Sequence, residues 1–171
     1  TRSIGPVEID YNCFDPSAIL ETKTAMPDRN ADTKALAFLE ETMKACDSAG
    51  GVMECIVHNV PAGIGDTVFE KLDANLAKAL MSIGAVKAIE IGDGVKVVSA
   101  NGSTNNDAFS NDDGSVSKVT NHSGGILGGM SDGSPIILRA YVKPTPSIYA
   151  TQQTINKAME NIDINIKGRH D

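Results

Sequence analysis

The sequence predicts an α+β fold built from two long amphipathic helices and short antiparallel hairpin strands. Two stretches, 32–49 and 67–83, carry apolar residues at helical spacing. Short runs rich in β-branched and apolar residues, at 52–60 and 86–91, follow each of them and are bounded by glycine or proline. The sequence contains no Rossmann or P-loop spacing, so we do not expect a dinucleotide-binding sheet.

The first helix is expected over 32–49, with Asp32 as its cap and Gly50–Gly51 closing it. Its apolar face is formed by four residues at helical intervals: Leu36, Leu39, Met43 and Cys46. The run 52–60 that follows is apolar and β-branched and stops at Pro61, which predicts a strand.

The second helix is expected over 67–83, with Asp66 as its cap. Its apolar face is formed by Phe69, Leu72, Leu76, Leu80 and Ile83. After it, the apolar runs 86–91 and 95–99 are joined by Gly92-Asp93-Gly94. A glycine-aspartate turn between two apolar runs predicts a β-hairpin.

The remaining chain contains a polar stretch and further strands. Residues 101–115 are mostly Asn, Ser, Asp and Gly, which predicts a mobile loop. Residues 135–142 alternate in the manner of a strand. In 152–167 the spacing of Ile155, Met159 and Ile162 favours a helix, whereas Ile162, Ile164 and Ile166 alternate as in a strand, so we expect a helix followed by a strand.

Composition excludes several classes of partner. The net charge is −7, whereas recognition of nucleic acid or of an anionic membrane needs concentrated Lys and Arg. No apolar run reaches the roughly 18 residues that would suggest a membrane span. The three cysteines form no Cys-x-x-Cys pair, so we expect reduced, partly buried thiols in a cytoplasmic protein.

Three stretches carry residues suited to an anionic ligand. Asn121–Gly129 contains two glycine pairs, whose backbone can approach a flat or anionic group closely. Lys143–Ser147 offers a lysine and two hydroxyls on a proline-stiffened segment, and Gly168–Asp171 an arginine beside a carboxylate. Each also has an ordinary interpretation, respectively a glycine-rich turn, a solvated strand exit and a charged tail.

Metal chemistry is not expected at the histidine of the first stretch. His122 has no Cys or carboxylate cluster with ligand spacing near it. We therefore expect an imidazole that is hydrogen-bonded to the backbone.

These stretches, together with Phe69–Ala74 and Leu80–Lys87, make the chain resemble chorismate synthase. The resemblance is dense over 65–94 and returns over 121–171. It implies part of a layered β-α-β sandwich, here a single partial domain over 1–171 that lacks the N-terminal half of the enzyme. The chain's ends are expected to be internal cuts in a longer protein.

The resemblance also implies the site residues. Cofactor contacts are implied for Gly84, Ala85, Gly128, Lys143, Pro144, Thr145, Pro146, Ser147 and Arg169. Catalytic roles are implied for Arg169 and Asp171, the latter as a proton acceptor. From the residues alone, Gly84 has a second interpretation as the glycine that ends the second helix.

The implied reaction converts 5-enolpyruvylshikimate 3-phosphate into chorismate and phosphate. Reduced flavin mononucleotide (FMN) is the implied cofactor, NADPH is a candidate reductant, and the intact family is generally a cytoplasmic homotetramer. Because the family's catalytic histidines and most of its substrate-binding arginines lie upstream, we expect the chain alone to be inactive. Two alternatives stay open: a non-catalytic flavin- or phosphate-binding or assembly module, and a different flavin- or nucleotide-binding enzyme.

Overall fold

The computed structural model describes residues 1–166. The chain forms two compact units. The first contains Thr1–Val52 and the chain from Val142 onward, and the second contains Met53–Tyr141.

Helices and strands are mixed in the chain, which confirms the predicted α+β class. The helices are α1 (Arg29–Lys44), α2 (Leu72–Met81) and α3 (Gly102–Asn105), and 3-10 helices span Tyr11–Cys13, Pro16–Leu20 and Gly94–Ser99. The strands are β1 (Ser3–Ile4), β2 (Val7–Glu8), β3 (Gly51–Val57), β4 (Val86–Ile91), β5 (Phe109–Asp112), β6 (Ser115–Lys118), β7 (Ile126–Leu127), β8 (Met130–Ser131), β9 (Ile136–Val142), β10 (Gln152–Ile155) and β11 (Asn161–Ile164).

In the first unit, α1 lies beside a small antiparallel sheet. Strand β1 pairs with β2 and with the start of β3. The core of this unit is formed by Ile9, Met26, Ala31 and Ala35, with Ile4 and Val7 packed against them. Helix α1 thus buries its N-terminal half, and its exposed C-terminal half includes Met43.

The predicted ends of the first helix were wrong. Its cap is Asp28, whose carboxylate accepts hydrogen bonds from the N–H groups of Asn30 and Ala31. Asp32 instead accepts from the N–H and hydroxyl of Thr24. The helix ends before Cys46, which adopts a left-handed φ of 58° and so closes the helix where a glycine was expected.

In the second unit, β9 lies between β3 and β4, and α2 covers the sheet. Strand β9 alternates as predicted, with Ile136, Leu138 and Ala140 buried. The core forms from Ile126, Ile136 and Leu138, against which five partly buried residues pack: Val60, Leu72, Leu76, Leu80 and Ile91. The leucines of α2 thus face the sheet at the predicted helical spacing.

The second helix starts five residues later than predicted, at Leu72 rather than Thr67. Val68 has a left-handed φ of 67°, which an α-helix does not allow. The N–H of Asp66 donates to the Glu70 carbonyl, so residues 66–70 form a turn that precedes the helix. Phe69 consequently lies outside the apolar helix face and is 86% exposed.

The predicted hairpin over 86–99 was also wrong. Residues 86–91 do form β4, but 94–99 form a 3-10 helix. The N–H of Gly92 donates to the Ile137 carbonyl on β9, and the Val95 N–H donates to the Glu90 carboxylate. Strand β4 therefore pairs with β9 and not with residues 95–99.

The polar stretch 101–115 contains regular structure. It includes α3, β5 and the start of β6, and β5 pairs with β6 in the register Phe109↔Lys118 to Asp112↔Ser115. The mobility of the stretch stays a prediction.

Residues 152–164 form a hairpin, so the predicted helix there was wrong and the strand over the second half was right. Strands β10 and β11 pair from Gln152↔Ile164 to Ile155↔Asn161. The side-chain oxygen of Asn156 accepts from the N–H groups of Ala158 and Glu160, which closes the turn.

The cysteines are exposed, which corrects the expectation of partly buried thiols. All three have free thiols: Cys13, Cys46 and Cys55. Cys55 lies on the same face of β3 as Met53 and Val57, which are also exposed. Of the helices that the structure describes, none is both long and apolar enough to cross a membrane.

Candidate functional site

The glycine-rich stretch forms a tight hairpin in the second unit. Strands β7 and β8 pair as Ile126↔Ser131 and Leu127↔Met130, so Gly128 and Gly129 form a two-residue turn. Their φ angles are +60° and +88°, the left-handed pair that such a turn requires. A Cβ atom on Gly128 would meet no atom of residues 1–166 within 4 Å, so among these residues nothing covers its backbone.

The neighbouring glycine anchors this turn. The carbonyl of Gly129 accepts a 2.7 Å hydrogen bond from the N–H of Leu72, the first residue of α2. A Cβ atom on Gly129 would lie 2.5 Å from Lys71 Cγ, so only glycine fits there. Ser131 fixes the other arm, because its hydroxyl donates to the Pro61 carbonyl. The hairpin is thus held on one side while Gly128 remains accessible.

A buried carboxylate holds the start of the glycine-rich stretch. The side chain of Asp107 is 2% exposed and accepts hydrogen bonds from the N–H groups of His122 and Ser123 and from the Ser123 and Thr120 hydroxyls. Burial raises the pKa of Asp107, but the hydrogen bonds from Ser123, His122 and Thr120 outweigh it and hold the pKa well below its usual range. Asp107 is therefore a charged anchor for these residues.

A buried lysine completes this polar cluster. The side chain of Lys118 is 3% exposed, and its Nζ lies 2.7 Å from Asp132 Oδ2 and 3.2 Å from Asp107 Oδ2. It also lies 3.0 Å from Ser123 Oγ and 3.3 Å from Asn121 Oδ1. Burial raises the pKa of Asp132, but hydrogen bonds from Lys118 and from the Ser134 N–H lower it overall. All three charges are thus paired inside the protein.

His122 pairs with a carboxylate, which corrects the expectation of a backbone-bonded imidazole. Its Nδ1 lies 2.6 Å from Asp93 Oδ2. The Asp93 N–H in turn donates to the His122 carbonyl at 2.9 Å. The two contacts lock His122 to the turn that follows β4.

The predicted segment Lys143–Ser147 lies in the first unit, directly after β9. The Ser48 hydroxyl donates to the Thr145 carbonyl at 2.7 Å, and the Gln152 side chain donates to the Pro146 carbonyl at 2.9 Å. Among residues 1–166, the side chains of Lys143, Thr145 and Ser147 have no hydrogen-bond partner. The backbone of this segment is thus held by two hydrogen bonds, while nothing within residues 1–166 engages its ammonium and hydroxyls.

Gly84 and Ala85 connect α2 to β4 in the second unit. The left-handed residue is Ala85, with φ 69°, and not Gly84. The interpretation of Gly84 as the left-handed glycine that ends the helix was therefore wrong. In the described part of the chain, a Cβ atom on Gly84 would meet nothing within 4 Å, so this connection too has open backbone there.

The two remaining predicted residues, Arg169 and Asp171, lie outside the described residues. A cavity of about 500 Å³ lies along the hairpin β10–β11, but none of its lining residues belongs to the predicted set. Within residues 1–166, no cluster of three or more His, Cys, Asp or Glu side chains could hold a metal ion.

Sequence reasoning missed the buried cluster of Asp107, Lys118 and Asp132. One signal was available. Lys118 is the single Lys or Arg in the polar stretch 101–134, which also contains Asp107, Asp112, Asp113 and Asp132. A lone cation among several carboxylates is a candidate for a buried ion pair.

Comparisons with known proteins agree on one family. The sequence model of the chorismate synthase family matches residues 2–171. Chorismate synthase of Agathobacter rectalis is 61% identical over 171 residues, which are 100% of this chain and 47% of that protein. Chorismate synthase of Methanocaldococcus jannaschii is 42% identical over 187 aligned residues, 100% of this chain and 49% of that protein.

The fold comparison agrees as well. A crystal structure of chorismate synthase superimposes with a TM-score of 0.77 at 29% identity, covering 85% of this chain and 48% of that one. The chain spans about half the length of the curated relatives that it matches. A family match over nearly the whole chain, high identity and a shared fold lead to one conclusion: the chain belongs to the chorismate synthase family.

Proposed function

We propose that this chain supplies flavin-binding surfaces of a chorismate synthase, which converts 5-enolpyruvylshikimate 3-phosphate into chorismate and phosphate. The observation that carries the proposal is the exposed Gly128 turn, whose backbone is open although the glycine beside it is tightly packed. A flat ring can approach such a backbone closely because no side chain intervenes. Membership in the family supplies the identity of the ligand.

The segment Lys143–Ser147 of the first unit carries groups suited to the polar end of FMN. FMN carries a phosphate and a chain of hydroxyls. Lys143 offers an ammonium, and Thr145 and Ser147 offer hydroxyls without partners among the described residues. The Pro144 and Pro146 rings restrict the backbone, so little conformational freedom would be lost on binding.

The protein's tasks in this reaction are to bind and orient the substrate and the cofactor and to transfer a proton. When bound, reduced FMN supplies an electron to the substrate transiently and recovers it, so the net reaction is redox-neutral. We assign Arg169 to contact with cofactor and substrate, and Asp171 to proton acceptance beside it, on the basis of the family resemblance.

The described arginines are already engaged elsewhere. Arg2 pairs with Glu8, Arg29 with Asp15 and Glu21, and Arg139 with Glu54. A multiply anionic substrate and a leaving phosphate need several cations. Because the described residues offer no unpaired arginine for this task, we propose that the chain by itself does not complete the reaction.

Three further features belong to the proposal on family grounds. They are NADPH as the source of flavin reduction, a cytoplasmic location and assembly into a homotetramer. An assembly would also cover apolar side chains that are exposed here, such as Met53 and Val57 on β3.

A titration of reduced FMN into the purified protein under anaerobic conditions tests the proposal. We expect saturable binding that Lys143→Ala weakens about tenfold, which is about 1.4 kcal/mol. Lys157→Ala is the matched control, because Lys157 is also an exposed lysine of the first unit and lies in the turn between β10 and β11. Equal binding by wild type and the Lys143 variant would contradict the assignment of this segment. Absence of binding by the wild-type protein would contradict the flavin proposal itself.

A further inference from the structure

Lys118 lies where the two ends of one loop meet. We define the glycine loop as residues 121–134, which contain the hairpin of β7 and β8. At its start, Lys118 Nζ contacts the side-chain oxygens of Asn121 and Ser123. At its end, the same nitrogen lies 2.7 Å from Asp132 Oδ2. One ammonium group therefore joins Asn121 and Asp132, which are 11 positions apart in sequence.

The two side chains that Lys118 contacts at the ends of the loop, those of Asn121 and Asp132, also hydrogen-bond to the loop backbone. Asn121 uses its side-chain oxygen to accept from the Gly125 N–H and its side-chain nitrogen to donate to the Pro135 carbonyl. Asp132 accepts from the Ser134 N–H through its other oxygen, Oδ1. Lys118 thus orients both side chains that shape the backbone on either side of the hairpin.

The opposite side of the hairpin is anchored independently. The Gly129 carbonyl accepts from Leu72, and the Ser131 hydroxyl donates to Pro61. These bonds keep the hairpin attached to the unit when Lys118 is removed. The start of the loop would keep its bonds to Asp107, but the ammonium group that joins its two ends would be lost. The direction of the open Gly128 backbone would be less closely fixed.

Because Lys118 is buried, it can position the glycine loop but cannot itself contact a ligand at Gly128. Its side chain is 3% exposed, and its three N–H donors already face four acceptors, on Asp107, Asn121, Ser123 and Asp132. A ligand at Gly128 has no access to this ammonium. Any effect of Lys118 on ligand binding must act through the glycine loop.

We propose that Lys118, with Asp107 and Asp132, is a positioning residue that fixes the glycine loop in the geometry required for flavin binding. This inference rests on the proposed function, because that proposal makes the loop a cofactor contact. A loop displaced by about 1 Å can lose a large part of its binding or catalytic effect. Lys118 is therefore expected to influence FMN affinity without touching FMN.

A double variant separates an effect on loop position from an effect on protein stability, because it restores the net charge of the cluster. The three side chains of the cluster carry a formal net charge of −1, from one Lys and two Asp. Lys118→Met changes it to −2, and Lys118→Met/Asp132→Asn returns it to −1 without rejoining the two ends of the loop. Lys96→Met is the matched control, since Lys96 is an exposed lysine of the same unit.

We expect Lys118→Met to lower the Tm and to raise the Kd for reduced FMN about tenfold. The double variant should recover most of the Tm but keep the raised Kd, and the control should match wild type in both. Recovery of Tm and Kd together in the double variant, or a wild-type Kd in the single variant, would overturn the inference.

Hydrogen exchange of the ligand-free protein tests the role of Lys118 independently of flavin binding. In the double variant, peptides covering Gly124–Ser131 should exchange faster than in wild type, while α1 should be unchanged. If wild type bound no FMN, the proposed function would fail, and this exchange would still report whether Lys118 fixes the loop. Unchanged exchange would overturn the role of Lys118 whatever the outcome with FMN.

Discussion

The backbones of Gly92 and Gly124 pass each other in close contact, at the point where the turn after β4 meets the glycine loop. A Cβ atom on Gly92 would lie 2.5 Å from the Gly124 nitrogen and would also overlap the His122 carbonyl oxygen. Both glycines have left-handed φ angles, +57° and +64°. The position of the glycine loop thus depends on two residues without side chains.

Gly92→Ala should therefore destabilise the protein strongly. The methyl group would meet backbone atoms that cannot rotate away, and the left-handed φ adds strain, so we expect a loss of about 3 kcal/mol or more. Gly102→Ala is the control, because Gly102 lies in α3 with nothing within 4 Å of its added Cβ. The control should change stability by less than about 0.5 kcal/mol. Urea unfolding measures both, and equal stabilities would refute the close contact.

Arg139 should contribute far more to the stability of the protein than Arg29, although both form ion pairs. Arg139 is 13% exposed, and its guanidinium bonds to Glu54 and to the Gly92 carbonyl at 2.6 Å each. Its removal leaves buried carboxylates without this cation, which costs about 3 kcal/mol. Arg29 is 52% exposed, so solvent screens its ion pairs and its removal should cost much less stability. Thermal unfolding of Arg139→Ala and Arg29→Ala would contradict this ranking if the two variants lost equal stability.

Acid should weaken the protein through Asp107 and Asp132, whose pKa values are both lowered by their hydrogen bonds. A carboxyl with a lowered folded-state pKa adds stability that is fully present above the unfolded pKa of about 3.9 and is lost as the pH falls below it. Wild type should therefore lose stability below about pH 4. Asp107→Asn should be less stable by about 2 kcal/mol at pH 7, with a smaller difference at pH 3. A difference that does not depend on pH would show that Asp107 does not contribute through its charge.

Alanine substitutions at Gly128 and Gly114 provide a matched comparison that tests whether Gly128 contacts FMN. Both lie in hairpin turns with left-handed φ angles, +60° and +90°, and both have open space around an added Cβ. Alanine at either position should cost about 1–2 kcal/mol of stability from backbone strain. Only Gly128→Ala should weaken FMN binding, because only that methyl group would stand between the backbone and the ligand. Equal FMN affinities in a direct titration would remove Gly128 from the site.

Periodic patterns correctly predicted the elements that bury one face. The leucines at 72, 76 and 80 form the core face of α2, and β9 alternates as its sequence indicates. These patterns survive because burial on one face requires them.

The errors arose where a particular hydrogen bond, either to a distant residue or from a local side chain, decided the structure. The turn Gly92-Asp93-Gly94 has the composition of a hairpin, yet Gly92 bonds to Ile137, which lies 45 positions away. The spacing of Ile155, Met159 and Ile162 fits a helix, yet the Asn156 side chain closes a turn between them. Periodicity does not report such bonds.

The predicted site depended on a resemblance more than on geometry. Glycine pairs and a Lys-Pro segment are individually common, so the sequence alone left a glycine-rich turn and a strand exit as equal interpretations. The buried cluster of Asp107, Lys118 and Asp132 was missed because no spacing rule brings these three residues together. The structure brings them together, because one nitrogen contacts side chains at both ends of the glycine loop.

Hydrogen–deuterium exchange of the purified protein, with and without reduced FMN and the enolpyruvyl substrate, tests the central claim most directly. We expect protection of peptides covering residues 121–134 and 143–147 when the ligands bind. Binding that protects neither segment, or protects only the hairpin 152–164, would contradict it.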